Sequence, residues 1–144
     1  MVEIKLANSD DEIKRCFDIA VQLRPNYTED TFVTQVKKQK QDGYLLAYLT
    51  DNNEVSALAG FRYLENLAWG KFLYVDDLVT SSEHRSKGYG KNLLDWLIQQ
   101  AKLNHCQQLE LDSGIQRKDA HRFYLREDMF NTSLHFSISL IASK

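Results

Sequence analysis

The sequence predicts an α/β fold: an α+β mixed sheet with helices on both faces. Three observations predict it. Strand-like and helix-like segments follow one another in the order β-α-α-β-β-β-α-β-α-β. The middle strands are joined by short turns, as antiparallel hairpins are. A β-α-β crossover follows them, and such a crossover adds a parallel strand.

Each element has its own signal. Val2 to Leu6 reads as a short first strand. Ser9-Asp10-Asp11-Glu12 forms a capping box, in which the Ser9 hydroxyl and Glu12 carboxylate accept from amides at a helix start. Ile13, Cys16, Phe17, Ala20 and Leu23 then recur at helical spacing. Pro25 ends that helix, because the residue before a proline avoids the helical region. Thr28 caps a second helix carrying Phe32, Val33 and Val36. Beyond Gly43, Tyr44 to Thr50 and Val55 to Tyr63 are strands separated by the turn residues Asp51-Asn52-Asn53. Lys71 to Thr80 is the next strand. Gly88 to about Asn104 is a helix whose stripe of Leu93, Leu94, Leu97, Ile98 and Ala101 faces the core. Gln108 to Asp112 is a half-buried strand, Arg117 to Glu127 a short helix, and Phe130 to Ile141 a closing strand. In that last strand Leu134, Phe136, Ile138 and Leu140 share one face, and such a strand can pair across a homodimer.

Bulk properties narrow the function. The chain has 144 residues, 43% hydrophobic and 26% charged, which suits a single domain over residues 1–144. No linker, repeat or low-complexity segment interrupts it. The net charge of −2 offers no basic excess for tracking nucleic acid. Arg85, Lys87, Lys91 and Lys102 form a cluster suited to a small polyanion. The first residues, MVEIKLANSDDE, lack a basic segment followed by an apolar run, so no signal peptide is expected there, and no run reaches the ~20 apolar residues that a membrane span needs. Cys16 and Cys106 read as buried free thiols, so a reducing, cytoplasmic setting is expected. No His, Cys and Asp cluster has metal-ligand spacing, and no metal is expected.

The loop Arg85-Ser86-Lys87-Gly88-Tyr89-Gly90 follows a strand and opens a helix. The first amides of a helix lack intrahelical partners, and the macrodipole places about half a positive charge there. Glycines let an anion approach the backbone. Arg85, Lys87 and Lys91 add formal charge, so the loop suits a phosphate or pyrophosphate. A plain glycine-rich helix start fits these residues as well. No Lys-Ser/Thr pair follows the glycines, so it is not a P-loop. GxGxxG would need a further glycine.

The segment from Leu78 through Val79, Thr80 and Arg85 to Gly90 resembles the acetyl-CoA-binding motif of the GNAT superfamily of N-acetyltransferases. Arg85, Gly88 and Gly90 match directly, and Thr80 replaces the usual Val. Downstream, Asp119-Ala120-His121-Arg122-Phe123-Tyr124 resembles the family's A-x-x-F-Y helix. Two departures stand out. Leu125-Arg126-Glu127-Asp128-Met129-Phe130 lacks the family's Gly-Phe turn, where Asp can adopt a left-handed cap at some cost. Arg117 stands where the family often has an Asn near the cofactor.

The resemblance implies acetyl transfer from acetyl-CoA to a primary amine by direct attack. The cofactor-binding set is then Leu78, Val79, Thr80, Arg85, Ser86, Lys87, Gly88, Tyr89, Gly90, Lys91 and Arg117. Main-chain groups of Leu78 to Thr80 serve the pantetheine arm as an added strand would. An alkyl ammonium, with a pKa near ~10, must lose a proton before it attacks, and the departing thiolate gains one. Tyr124 matches the family's general acid, although a core aromatic is the alternative. Asp76 and Asp77 are the acidic candidates to take the amine's proton, Asp76 first, with a water chain as the other route. Strict alternation places them on opposite faces. A bulge-capping role is the bland reading of either. Glu110 and Asp112, sharing a strand face, are further candidates for the acceptor cleft. His84 and His121 read as solvated, His135 as structural. Acceptor choice is expected to lie with Arg24-Pro25-Asn26-Tyr27, Leu67-Ala68-Trp69-Gly70 and the last strand. A small-molecule amine is the expected acceptor; a protein N-terminus or Lys, or a non-catalytic acyl-CoA-binding module, are the alternatives.

Overall fold

The computed structural model describes residues 1–85 and 87–141. The chain divides into two compact units, Met1–Leu111 and Asp112–Lys144.

The first unit is a five-stranded sheet with helices on both faces, in the strand order β1-β2-β3-β4-β5. Its strands are β1 (Val2–Leu6), β2 (Leu45–Asp51), β3 (Glu54–Asn66), β4 (Gly70–Thr80) and β5 (Gln108–Leu111). β1 to β4 pair antiparallel, and β5 joins β4 in parallel. The turn between β2 and β3 uses Asn52 and Asn53, both left-handed (φ 51 and 68), a conformation that Asn tolerates and that suits the twist of a hairpin.

The N-terminal helices are α1 (Asp10–Arg15), α2 (Phe17–Leu23) and α3 (Glu29–Lys40). Ser9 and Glu12 form the predicted capping box, and Thr28 caps α3. The single helix expected up to Leu23 is instead two. The Cys16 N–H donates to the Ile13 carbonyl as well as lying near that of Lys14, and the chain restarts at Phe17.

Alternation along β2 sorts the core into two layers. Leu46 and Tyr48 meet Ile13, Cys16, Ala20, Phe32 and Val36 on one face. Ala47 and Leu49 join the layer of Leu93 and Leu97 from α4 (Tyr89–Leu103) on the other. Period 2 in the strand and period 3.6 in the helices produce this division. Leu94 is also buried, whereas Ile98 is only half-buried, and Tyr89 completes the stripe instead. Burial pushes the Cys16 thiol up to about 12, so it stays protonated; Cys106 is only half-buried.

The second unit contains α5 (Lys118–Arg126). The closing strand expected over Phe130 to Ile141 does not form. Residues 130–140 are in neither helix nor strand, and Leu134, Phe136, Ile138 and Leu140 are 75–92% exposed. Alternation identifies which face of a strand would be apolar, but a strand also needs a ladder partner. Among the described residues none supplies one.

Candidate active site

The site begins with an irregularity in β4. Gly60 of β3 lies opposite Asp77, and the next residue, Phe61, lies opposite Val75. Asp76 is therefore the extra residue of a β-bulge. The bulge breaks the alternation that would have put Asp76 and Asp77 on opposite faces, and the two carboxylates enter one polar cluster. The Arg62 guanidinium holds Asp76, Nε donating to Oδ1 and Oδ2 at 3.2 and 3.1 Å and Nη2 to Oδ2 at 2.9 Å. Arg24 Nε donates to Asp77 Oδ1 at 2.9 Å, and its Nη2 to the Asp76 carbonyl at 3.1 Å. Tyr44 Oη donates to Asp77 Oδ2 at 2.8 Å, and its ring lies 5.4 Å from the Arg62 guanidinium carbon.

Electrostatics separates the members of the cluster. Burial raises the Asp76 pKa, against the hydrogen bonds and charge of Arg62. Burial and the Asp77 charge push the Tyr44 phenol well up, so it remains a donor at neutral pH. Gly60 makes the arrangement possible. A Cβ there would lie 1.8 Å from Tyr44 Oη. Gly60→Ala must therefore displace a buried ring and break its bond to a carboxylate. We expect a loss of about 2 kcal/mol in chemical denaturation.

A cavity of about 90 Å³ lies between α2, α3 and the sheet. Leu23, Phe32, Val36, Leu58 and Val79 line it with apolar surface. Arg24, Tyr27, Tyr44 and Asp77 also line it; Asp76 does not. Of the two loops expected to choose the acceptor, the Arg24–Tyr27 turn thus reaches this cavity. Trp69 packs edge-on against Phe72 instead, with ring centroids 5.0 Å apart.

The glycine loop has the features an anion site needs. A short 3₁₀ turn, Ser82–His84, leads into it. Gly88 is the residue before α4, left-handed at φ 81, and the helix start has no side-chain cap. A Cβ built on Gly88 meets no atom within 4 Å, so the space above its backbone is open. Arg85 and Lys87 are exposed; Lys91 pairs with Asp95 at 3.3 Å. The Tyr89 side chain is turned inward, its Oη donating to Asp51 Oδ2 at 2.5 Å, which leaves its backbone for a ligand. Ser86 lies outside the described residues.

β4 supplies an edge. Its pairing with β5 ends at Val75 opposite Leu111. Among the described residues, no strand pairs with that side of Leu78, Val79 and Thr80, which bond to β3 on their other side. Glu110 lies in the paired stretch, hydrogen-bonded to the Gln108 side chain. Asp112 falls beyond β5, so the shared strand face expected for the two does not extend to it.

In the second unit, Arg117 precedes α5 and its side chain hydrogen-bonds to Tyr124. Burial raises the Tyr124 pKa, with Arg117 opposing, so the phenol is a proton donor at neutral pH. Asp128 adopts the left-handed cap (φ 67) where the Gly-Phe turn is missing, at a cost of about 1–2 kcal/mol.

Three histidines differ from expectation in part. The His84 side chain is only 17% exposed, covered beside the Tyr89 ring, and its Nδ1 has no partner among the described residues. With Glu54 and Glu83 it forms a group whose ligand atoms lie within 4.8 Å of one another. Sequence spacing could not show this, because a hairpin and a distant loop bring them together. His121 Nε2 is 2.7 Å from the Gly114 carbonyl. His135 lies in no strand and is 3.4 Å from Asp112. Among the described residues, no helix is long and apolar enough to cross a membrane.

Known proteins share this organisation. The sequence model of the Acetyltransferase (GNAT) family matches residues 10–128. The chain is 36% identical over 125 residues to the uncharacterized N-acetyltransferase YhdJ of Bacillus subtilis (strain 168), covering 86% of this chain and 88% of that protein. It is 35% identical over 66 residues to the aminoalkylphosphonate N-acetyltransferase of Salmonella typhimurium, covering 46% of this chain and 43% of that one. A GNAT family acetyltransferase of Staphylococcus aureus has the same fold, with a TM-score of 0.81 at 22% identity over 96% of this chain and 98% of that one. The chain therefore belongs to the GNAT family and is an acetyl-CoA-dependent N-acetyltransferase.

Proposed function

We propose that the chain moves the acetyl group of acetyl-CoA to the primary amine of a small molecule, with Asp77 receiving the amine's proton and Tyr124 protonating the leaving thiolate. The observation that carries the acceptor half is the placement of Asp77. Its carboxylate borders a small cavity, and each oxygen accepts one hydrogen bond, from Arg24 and from Tyr44. Asp76, by contrast, has both oxygens held by Arg62, and its role is to fix Arg62 against Tyr44. A compact cavity suits a small amine better than a protein segment.

Acetyl-CoA brings the thioester. Backbone amides at Gly88 and Gly90, with Arg85 and Lys87, hold its pyrophosphate; the free edge at Leu78 to Thr80 takes the pantetheine amides. The ammonium gives a proton to Asp77, and the neutral nitrogen forms the new N–C bond as the C–S bond breaks. The sulfur leaves with that bond's electrons and takes the Tyr124 proton; the nitrogen loses its second proton as the amide forms, water carries that proton back to the phenolate, and Asp77 releases its own to solvent. Arg117 orients the phenol.

The test is thiol release from acetyl-CoA over a panel of small amines. Thiol release that depends on an amine is expected. Acetyl-CoA binding with no amine-dependent release would overturn the reading. Tyr124→Phe should lower kcat about 10²-fold while leaving CoA affinity nearly unchanged, since only the proton is lost. An unaltered rate would remove Tyr124 from the chemistry.

A further inference from the structure

The two arginine–aspartate pairs at the bulge are built differently. Arg62 and Asp76 are each 23% exposed and share three hydrogen bonds, with the Tyr44 ring beneath the guanidinium. That pair is rigid. Asp77 is comparably covered, at 18%, but its cation Arg24 is 51% exposed and gives it a single hydrogen bond. Arg24 follows the last residue of a seven-residue helix and precedes Pro25, with nothing stacked on it among the described contacts. The other Asp77 oxygen takes the Tyr44 hydroxyl, a neutral donor locked by the close approach of Gly60. One side of Asp77 is therefore permanent, and the other is held by a side chain free to swing into water. A partly buried carboxylate needs a cation more than a solvated guanidinium needs the carboxylate.

We propose that Arg24 occupies the acceptor's place on Asp77: a compact primary ammonium with an uncharged apolar body displaces the guanidinium, takes Asp77 Oδ1, and puts its body in the cavity lined by Leu23, Phe32, Val36 and Val79. This rests on the acceptor site proposed above and assigns its specificity. Arg24 competes with the acceptor. Gln35 and Gln39 also border the cavity but bond to each other, and the remaining, largely apolar wall favours an alkyl substituent over a hydroxylated one. Among the described residues no second carboxylate borders the cavity to hold a further ammonium, which disfavours polyamines.

The competition has a measurable size. A ligand that must first open a closed pair binds more weakly by the open fraction, and a half-exposed ion pair changes that fraction by only a few-fold. Arg24→Gln should lower both the KM for butylamine, read by thiol release, and its Kd, read by calorimetry without acetyl-CoA, about threefold. Arg24→Lys, which keeps a cation on a shorter side chain without the planar fork, should give a smaller gain and serves if the Gln variant folds poorly. Adding Asp77→Asn should weaken butylamine binding and erase the gain in either background. Unchanged or weakened butylamine binding in both Arg24 variants would overturn the proposal. Loss of affinity confined to 3-aminopropylphosphonate would overturn it too, by showing Arg24 to be an anion anchor. The calorimetric arm reads Arg24 even where no amine is turned over, so failure of acetyl transfer and failure of this competition are distinct results.

Discussion

Asp77→Asn is expected to lower kcat by about 10²–10⁴-fold, the range lost when a positioned acid or base is removed. The asparagine preserves shape, and its carbonyl can still accept from Tyr44. What it cannot do is hold the ammonium's proton. Arg24 loses its anion but is half exposed, so water compensates it and the fold survives. Two controls make the result specific. The CoA-induced rise in melting temperature should persist, because the glycine loop is separate from Asp77. Asp76→Asn should act differently: it frees Arg62, a partly buried cation stacked on Tyr44, and should cost stability as well as rate. If Asp77→Asn retains full kcat while Asp76→Asn destroys it without unfolding, the proton goes to Asp76 and the assignment is wrong.

Gly88→Trp should erase the response to CoA. With ligand at about a hundredfold over Kd, binding stabilises the native chain by about 2.7 kcal/mol, which for a chain of this size is several degrees in Tm. The open space above Gly88 is where an indole would sit, in the path of the phosphates. Gly88 is also left-handed at φ 81, so a bulky L side chain strains the helix start. Gly88→Asn separates the two effects, because Asn tolerates that backbone. It should fold close to normally and still bind CoA more weakly. A full CoA shift in Gly88→Trp would place the pyrophosphate elsewhere.

Much of this was legible along the chain. The capping box at Ser9, the cap at Thr28, the Asn52-Asn53 turn, the α4 stripe and the glycine loop depend on neighbours within a few residues, and local spacing reports them. The Asp128 cap was readable for the same reason. The acidic pair was visible too, but not its geometry. Period 2 separated Asp76 from Asp77, and a bulge depends on the partner strand's register, here on Gly60. Local spacing does not mark Tyr44 and Arg62 as site residues. An arginine inside the apolar run Phe61-Arg62-Tyr63 was the available signal, since a covered cation needs an anion and the next strand carries two.

By itself, the sequence determined the order of elements through α5 apart from the break in the first helix, the two helical faces that cover the sheet, and a glycine loop that opens a helix. Those properties are periodic or contiguous, so residue spacing encodes them directly. Only the tertiary structure decided that two adjacent carboxylates share a cluster, that Gly60 makes room for the Tyr44 ring, and that Arg24 closes on Asp77 over a cavity. It also decided that the apolar alternation after Phe130 builds no strand among the described residues. Each of these depends on which distant segment lies opposite, and pairing between distant segments leaves no period in the chain.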